Sequence, residues 1–593
     1  MARAPLPENA RLRMALLAVL VGIIAALAAW GFRALIAIIH NLFFYQTLSL
    51  NYEANLHSDP SPLGAWVILV PVVGAWVVTY LVRSFAPEAK GHGVPEVIDA
   101  IYYRSSIIRP TVALVKSLAS SLCIGTGGAV GREGPIIQIG AAFGSTVGQV
   151  IRMREWQRMV LVSCGVAGGI AATFNTPVGG LLFAVELTLV EVSARTLIPV
   201  ALSTGAATFL GREFLGNQPA FDVPALAHPT LDLMAPQAFA VYVVLGLFLG
   251  VAAWIYIRAL YAFEDLFARM PGNDYARHSL GMFLVGLMMY AFMIQFDHYY
   301  VQGVGYATIQ DILTGTLTNP YLLALLFVAK LVANGLTLGS GGSGGIFSPS
   351  LFLGATLGAF FGGLVDEFAP ALHVNAANMA VVGMAGVVGS GTGAVVTAVV
   401  MIFEMTRNYN VIVPLIITVS IAYGVRQWFM RDSIYTLKLT RRGHYIPDSQ
   451  GTDIFMLRRA GDLMEKHLLI PKTDEPLGEL RKRLPDPYLV PHVLLTEGER
   501  IHAILSEERV QSLDPEGHAH TWTEEHLKTC FVVAAQEDKV FDAVAKMRAA
   551  DCDLTLVTKD GRLHHPQEVK GVLSLAHIAR SSHLTRHILA SER

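Results

Sequence analysis

Charge is missing from long stretches of this chain. No residue is charged from Met14 to Phe32, from Ser61 to Val82 or from Leu233 to Ile257, and further uncharged runs occupy Asn375–Phe403 and Asn408–Val425. Roughly 20 apolar residues suffice to cross the hydrocarbon core of a bilayer as a helix, so the pattern predicts an all-α, multi-spanning membrane protein. Arg3, Arg11 and Arg13 precede the first run. Its length and the many later spans mark it as a retained helix rather than a secretory leader, and the arginines favour a cytoplasmic N-terminus. The pattern changes after Phe429, where "MRDSIYTLKLTRRGHYIPDSQ" leads into a tail dense in Asp, Glu, Lys, Arg and His. That tail is too long for a linker and reads as a soluble cytoplasmic domain.

Many of the apolar segments are broken by glycine or proline. Interrupted helices at corresponding places in two halves point to a transporter's binding site, which makes internal repeats worth seeking. "KSLASSLCIGTGGAVGREGPIIQIGAAFG" (116–144) aligns with "KLVANGLTLGSGGSGGIFSPSLFLGATLG" (330–358), matching Lys116 with Lys330, Gly131 with Gly345, Pro135 with Pro349, Gly140 with Gly354 and Gly144 with Gly358. "FNTPVGGLLFAVELT" (174–188) pairs more weakly with "AVVTAVVMIFEMT" (394–406) and aligns Glu186 with Glu404. The membrane region is therefore read as duplicated, with the relative direction of the halves left open by the pattern alone.

Each copy has a glycine cluster, then a proline, then an apolar helix. Proline is tolerated near a helix start because its missing N–H would lack a partner there anyway. Glycines ahead of it let backbone N–H groups converge, and helix N-termini carry about half a positive charge and bind anions. Two such ends meeting within the membrane would form a site for a dehydrated anion. Glycines in membrane helices can also serve close packing alone; the second matching copy, and the Arg132–Glu133 pair inside the first, favour the anion site. An ionisable group in a membrane segment costs at least about 2.5–3.5 kcal/mol on insertion scales. Glu133 therefore reads as a carboxylate that can stand in for the anion, against the alternative of a structural ion pair.

Composition agrees with the pattern. Of 593 residues 53% are hydrophobic and only 15% charged, against about a quarter charged in soluble proteins, and the mean hydropathy is +0.48. A formal net charge of −2 identifies no partner and gives no reason to expect nucleic acid. Cys123, Cys164, Cys530 and Cys552 have no ligand-like spacing, so neither a disulfide framework nor a metal site is expected. Gly341–Gly344 has a G-x-S-G form, but no histidine of a membrane span is an obvious base and the other repeat copy has Ala129 at the serine's position. "GGAVGRE" lacks the Lys-Ser/Thr of a nucleotide-binding loop. An enzyme is not expected.

"GHGVPE" (91–96), "GREGP" (131–135), "FNTPVGGLLFAVE", "GGIFSPSL" (344–351), "FEMTRNYN" (403–410) and "SIYTLKLTRRG" (433–443) occur in this order, and together they resemble the CLC family of chloride channels and chloride/proton exchangers. The resemblance covers roughly residues 12 to 443 and implies a homodimer in the cell (inner) membrane, both termini cytoplasmic. Each subunit would hold its own pore, formed by two inverted repeats of tilted, broken helices. It implies chloride contacts from His92, Gly93 and Val94, from Gly131, Arg132 and Gly134, from Ile346 and Phe347, and from the Tyr435 hydroxyl. Glu133 would be the gating glutamate, leaving the anion site when protonated or displaced.

Two positions depart from the family pattern. His92 stands where chloride-transporting members commonly have serine and some nitrate-transporting ones proline; an imidazole can donate to an anion and can charge near neutral pH. Leu187 stands just after Glu186, where proton-coupled members usually carry an internal glutamate, and leucine cannot relay a proton. Glu191, one helical turn on, could stand in, although a place at the helix end facing water or another charge is favoured. The combined reading is a channel-like or weakly proton-coupled chloride pathway. Chloride/proton antiport is the alternative, and a nitrate or other anion carrier is favoured less.

The expected domains are a membrane domain over 1–443, with repeat halves at 12–215 and 235–430, a linker over 444–454 and a regulatory tail over 455–593. The tail holds two similar units, each a helix, a strand, a glycine turn (Glu497-Gly498, Asp560-Gly561) and a second strand, which resembles a tandem pair of CBS domains with a small α/β fold. Nucleotide sites in that family often use Ser or Thr with Asp three residues on. Here Ser574 is followed by His577, which argues against adenine nucleotide. No cofactor is required; chloride, protons and lipid are the expected partners.

Overall fold

The computed structural model describes residues 8–224, 236–372, 374–447, 454–470, 492–497, 500–505 and 530–581. It forms two compact units, one over Pro7–Ile446 and one built from the chain after it.

The first unit is helical. Its first half contains α1 (Glu8–Tyr45), α2 (Val70–Phe85), α3 (Val94–Tyr103), α4 (Pro110–Gly125), α5 (Glu133–Val150), α6 (Glu155–Phe174), α7 (Pro177–Leu187) and α8 (Ala194–Leu215). The second contains α9 (Pro236–Arg269), α10 (Asp274–Phe296), α11 (Tyr306–Thr314), α12 (Pro320–Ser340), α13 (Phe347–Phe368), α14 (Ala376–Thr392), α15 (Val395–Thr406) and α16 (Ile412–Phe429), followed by the short α17 (Thr436–Thr440). Among the described residues eight helices are long and apolar enough to cross a membrane, and the chain is a multi-pass membrane protein. Shorter ones such as α4, α7, α14 and α15 are the broken segments seen in the sequence.

The repeat is realised contact by contact. Lys116 Nζ donates to the carbonyls of Ala89 and Gly91 at 3.0 and 2.7 Å, and Lys330 Nζ donates to Val301 and Gly303 at 2.9 and 2.8 Å. The glycines after the repeated prolines serve packing. A Cβ on Gly140 would lie 2.1 Å from the Gly165 carbonyl oxygen, joining α5 to α6, and one on Gly354 would lie 2.2 Å from that of Gly383, joining α13 to α14. The packing explanation thus holds for these columns, while Gly131 and Gly345 do something else.

Glu186 and Glu404 show how the halves are related. Glu186, near the end of α7, accepts from the N–H groups of Val396 and Thr397 at 3.0 and 2.8 Å. Glu404, near the end of α15, accepts from Val178 and Gly179 at 3.1 and 2.7 Å. Each carboxylate therefore caps the other helix's N-terminus, where negative charge is favourable. The two helices therefore run antiparallel, each closing the other's first turn. Glu191 lies in the connector beyond α7, not on its face, and its carbonyl accepts from Thr196 Oγ1 at 2.9 Å. The alignment of Leu187 and Glu191 along one helix does not form, because the helix stops at Leu187.

In the second unit β1 (Leu468–Leu469) is parallel to β2 (His492–Glu497), which is antiparallel to β3 (Arg500–Leu505). β4 (Val532–Ala535), β5 (Leu554–Thr558) and β6 (Gly571–Ser574) repeat the scheme. The short α18 (Ala460–Leu463) precedes β1, and α19 (Val540–Ala549) makes the crossover that the parallel β4–β5 pair requires. Leu494, Ile504, Leu554, Leu556 and Val572 share one core. The turn at Asp560-Gly561 is present, with Gly561 at a φ of 78°; Gly498 and the helix expected within 471–491 lie outside the described residues. Glu465 bonds both His492 and His577, the latter at 2.6 Å, and these contacts, foremost the hydrogen bond from His492, hold its carboxyl below the usual carboxylate range. One expectation is corrected: Cys530 is joined to Cys552, with Cα atoms 5.4 Å apart. Parallel neighbours β4 and β5 start side by side, which brings together two cysteines that spacing alone does not pair.

Candidate functional site

Three glycine loops are tied together by backbone hydrogen bonds in the middle of the helical unit. Gly131 and Gly345 exchange bonds in both directions, at 2.7 and 2.6 Å, and the Gly91 N–H donates to the Gly342 carbonyl at 3.0 Å. A Cβ at Gly134 would sit 2.3 Å from the His92 carbonyl oxygen and 2.9 Å from the Gly345 Cα. Only glycine allows so close an approach of three chains. As a result α3, α5 and α13 begin at adjacent points, with Gly93 capping α3 at a φ of 84°. In α3 the first N–H groups are taken up by the His92 and Gly93 carbonyls, whereas the start of α13 turns the Ser348 N–H toward the start of α5.

Polar side chains behind the loops fix their positions. Ser343 Oγ donates to the Ala89 carbonyl at 2.7 Å and lies 2.9 Å from Ser120 Oγ. Asn334 Nδ2 donates to the Ala129 carbonyl at 2.7 Å, Thr337 Oγ1 accepts from the Ala129 N–H at 3.2 Å, and Tyr256 supports Asn334 at 2.8 Å. These donors and acceptors satisfy backbone that would otherwise be costly at membrane depth.

Glu133 opens α5 and is 1% exposed. Its Oε2 accepts from Ser348 Oγ at 2.6 Å and from the Ser348 N–H at 3.3 Å, and its Oε1 accepts from the Tyr306 hydroxyl. Glu133 thus bridges the N-terminal turns of α5 and α13, a carboxylate where the repeat predicts an anion. Ile346 and Phe347 are buried at the start of α13, the Phe347 ring 5.9 Å from that of Phe174. Arg132 does not turn inward to pair with Glu133; its guanidinium lies over the Tyr306 ring at 5.2 Å.

His92 and Tyr435 form another wall. Val94 is fully buried at the start of α3, the His92 and Tyr435 rings lie 6.1 Å apart, and neither nitrogen of the wholly buried imidazole has a hydrogen-bond partner in the protein. A buried polar group without a partner costs about 1–3 kcal/mol, so the ring is suited to a ligand. His92→Ser is expected to change the chloride-to-nitrate permeability ratio by about tenfold, the equivalent of about 1.4 kcal/mol. An unchanged ratio together with an unchanged pH response would place the ring away from the ion.

The structure therefore gathers His92, Gly93, Val94, Gly131, Glu133, Gly134, Ile346, Phe347 and Tyr435, and leaves Glu186, Leu187 and Glu191 at the α7 end. Two residues were missed by the sequence reading: Ser348 and Tyr306. A signal for Tyr306 existed. "GVGYATIQD" (303–311) repeats "GHGVPEVID" (91–99) in Gly91/Gly303, Gly93/Gly305 and Asp99/Asp311, so α11 is the counterpart of α3 and presents a fourth N-terminus. Among the described residues no cluster of His, Cys, Asp or Glu could hold a metal ion.

The family model described as voltage-gated chloride channel matches residues 74–427, more than half of the chain. The H(+)/Cl(-) exchange transporter ClcA of Vibrio parahaemolyticus is 32% identical over 392 residues, covering 64% of this chain and 80% of the relative. That of Vibrio cholerae is 31% identical over 439 residues, covering 72% and 88%. Among solved structures, a slow cyanobacterial chloride/proton antiporter aligns with a TM-score of 0.63 at 23% identity over 72% of this chain and 98% of its own. A eukaryotic CLC transporter aligns at 0.58 and 21% identity over 95% and 97%. At these identities the structures establish the fold.

Proposed function

The chain belongs to the voltage-gated chloride channel (CLC) family and is an anion transporter, and from that premise we propose that it exchanges chloride for protons with Glu133 as the gate. The observation that carries the proposal is the Glu133 carboxylate on the Ser348 N–H and hydroxyl, in the position of an anion between two helix N-termini. While ionised, the side chain blocks the path. Once protonated it no longer competes as an anion, and the freed N–H groups can take chloride arriving past Tyr435 and His92. One group thereby meets both ions in turn.

The channel-like reading rested on Leu187. It gives way because the curated relatives that share about a third of their residues with this chain are named as exchangers. With no acid at position 187, the inner proton must enter by another route; Glu191, in the connector after α7, is the nearest acid beyond it in sequence. The proposal extends to a homodimer with cytoplasmic termini and a CBS-like tail. In that tail the His577 N–H donates to Ser574 Oγ at 3.0 Å while the imidazole is engaged with Glu465, an arrangement that supports a module without adenine nucleotide.

Purified protein in liposomes under an outward chloride gradient is expected to drive protons inward against their own gradient. Brisk chloride efflux with no proton uptake would return the protein to the channel class.

A further inference from the structure

The gating glutamate is held by more than backbone. Tyr306 is fully buried at the first position of α11, and its hydroxyl donates to Glu133 Oε1 while lying 3.0 Å from Ser348 Oγ. The three side chains close a triangle from three helices: Glu133 from α5, Tyr306 from α11, Ser348 from α13. Arg132 lies over the ring at 5.2 Å, and Phe221 packs against it edge-to-face at 5.3 Å. Tyr306 also lines a cavity shared with Tyr52, His57, Tyr300 and Gln302.

We propose that Tyr306 is the latch of the gate, a positioning residue that holds the ionised Glu133 in its blocking position and lets go on protonation. The proposal rests on the reading of Glu133 as gate. Its logic is that hydrogen bonds to an ionised acceptor are roughly twice as strong as neutral ones. The tyrosine and serine hydroxyls each give one proton to the carboxylate, one to each oxygen, so the grip is strongest on the charged form. Adding a proton to Glu133 turns both bonds into neutral ones, and the side chain can yield to chloride. The other titratable or charged groups that act on the triangle are Arg132 of its own turn, the Tyr435 hydroxyl, and, behind Arg132, Arg33 of α1 with Tyr52. None of them contacts Glu133 as Tyr306 does. The latch therefore selects for the charged state by direct contact, which a packing role for the ring would not.

The test compares chloride flux against pH in liposomes for wild type, Tyr306→Phe, Ser348→Ala, Glu133→Gln and the Tyr306→Phe/Glu133→Gln pair. Losing a hydrogen bond to a charged group is expected to raise the pH of half-maximal flux by about one unit in Tyr306→Phe, about tenfold in proton concentration. Ser348→Ala should move it the same way by less, since the Ser348 N–H remains. In the Glu133→Gln background Tyr306→Phe should add nothing. A monodisperse Tyr306→Phe protein with the wild-type profile would overturn the latch while leaving the gate intact, and so would an effect that persists without the carboxylate. Should Tyr306→Phe fail to fold, an unshifted Ser348→Ala profile would overturn it equally. If Glu133→Gln itself keeps the wild-type pH dependence, the gate reading fails first, and the latch with it.

Discussion

Glu133→Gln is expected to abolish proton movement and leave a chloride flux that no longer depends on pH. Glutamine has the same shape and keeps one carbonyl acceptor, so the α5–α13 junction should survive. It cannot bind or release a proton in the working range, which removes the exchange step outright. It also weakens closure. The ionised carboxylate accepts from the Ser348 hydroxyl, the Ser348 N–H and the Tyr306 hydroxyl, and bonds to a charged group contribute about 1.5–3 kcal/mol each. Losing the charge should favour the open site by tenfold or more, so flux at high pH should rise. The measurement is chloride efflux and proton uptake from the same liposomes. Continued proton uptake in the variant would remove Glu133 from the proton path, and loss of both fluxes in a well-folded variant would remove it from the gate.

Gly354→Val is expected to prevent assembly of the membrane unit. A Cβ there would lie 2.2 Å from the Gly383 carbonyl oxygen and 2.7 Å from the Met384 Cα. Those atoms belong to backbone in the buried helix α14, so relief requires α13 and α14 to separate. Overpacking usually costs about 1–3 kcal/mol when side chains can shift; here nothing flexible can give, and the cost should reach or exceed the top of that range. Gly140→Val should behave alike, because its Cβ would meet the Gly165 carbonyl oxygen at 2.1 Å in the mirrored α5–α6 contact. Gly363→Ala, with nothing within 4 Å, is the control and should purify as wild type. Yield and monodispersity on size exclusion report the outcome; a monodisperse Gly354→Val protein would show that the two helices can part without loss of the fold.

Much of the site was readable in the sequence because its glycines are forced. No side chain fits where Gly134 meets the His92 carbonyl, so the motifs around His92, Gly131 and Phe347 stand out as glycine clusters. The repeat was readable for the same reason, and Lys116 and Lys330 add a polar match between two equally buried side chains. The mutual capping by Glu186 and Glu404 was not readable, since a glutamate near a helix C-terminus looks misplaced against the helix dipole until the antiparallel neighbour is known to need a cap. Ser348 was hidden because a serine in a helix's first turn is commonplace. Tyr306 was hidden because its flanking Gly303 and Gly305 match a shorter segment than the main repeat. The Cys530–Cys552 link depended on strand order, and the end of α7 at Leu187 depended on where the chain turns.

The central claim is that chloride and protons move through this protein as one coupled process. The most direct test is the reversal potential of the purified protein in a planar bilayer, with a fixed chloride gradient and a pH gradient imposed and then reversed. Exchange predicts that the potential shifts with the pH gradient and leaves the chloride equilibrium value whenever the proton equilibrium potential differs from it. A potential fixed at the chloride value, whatever the pH on either side, would contradict it.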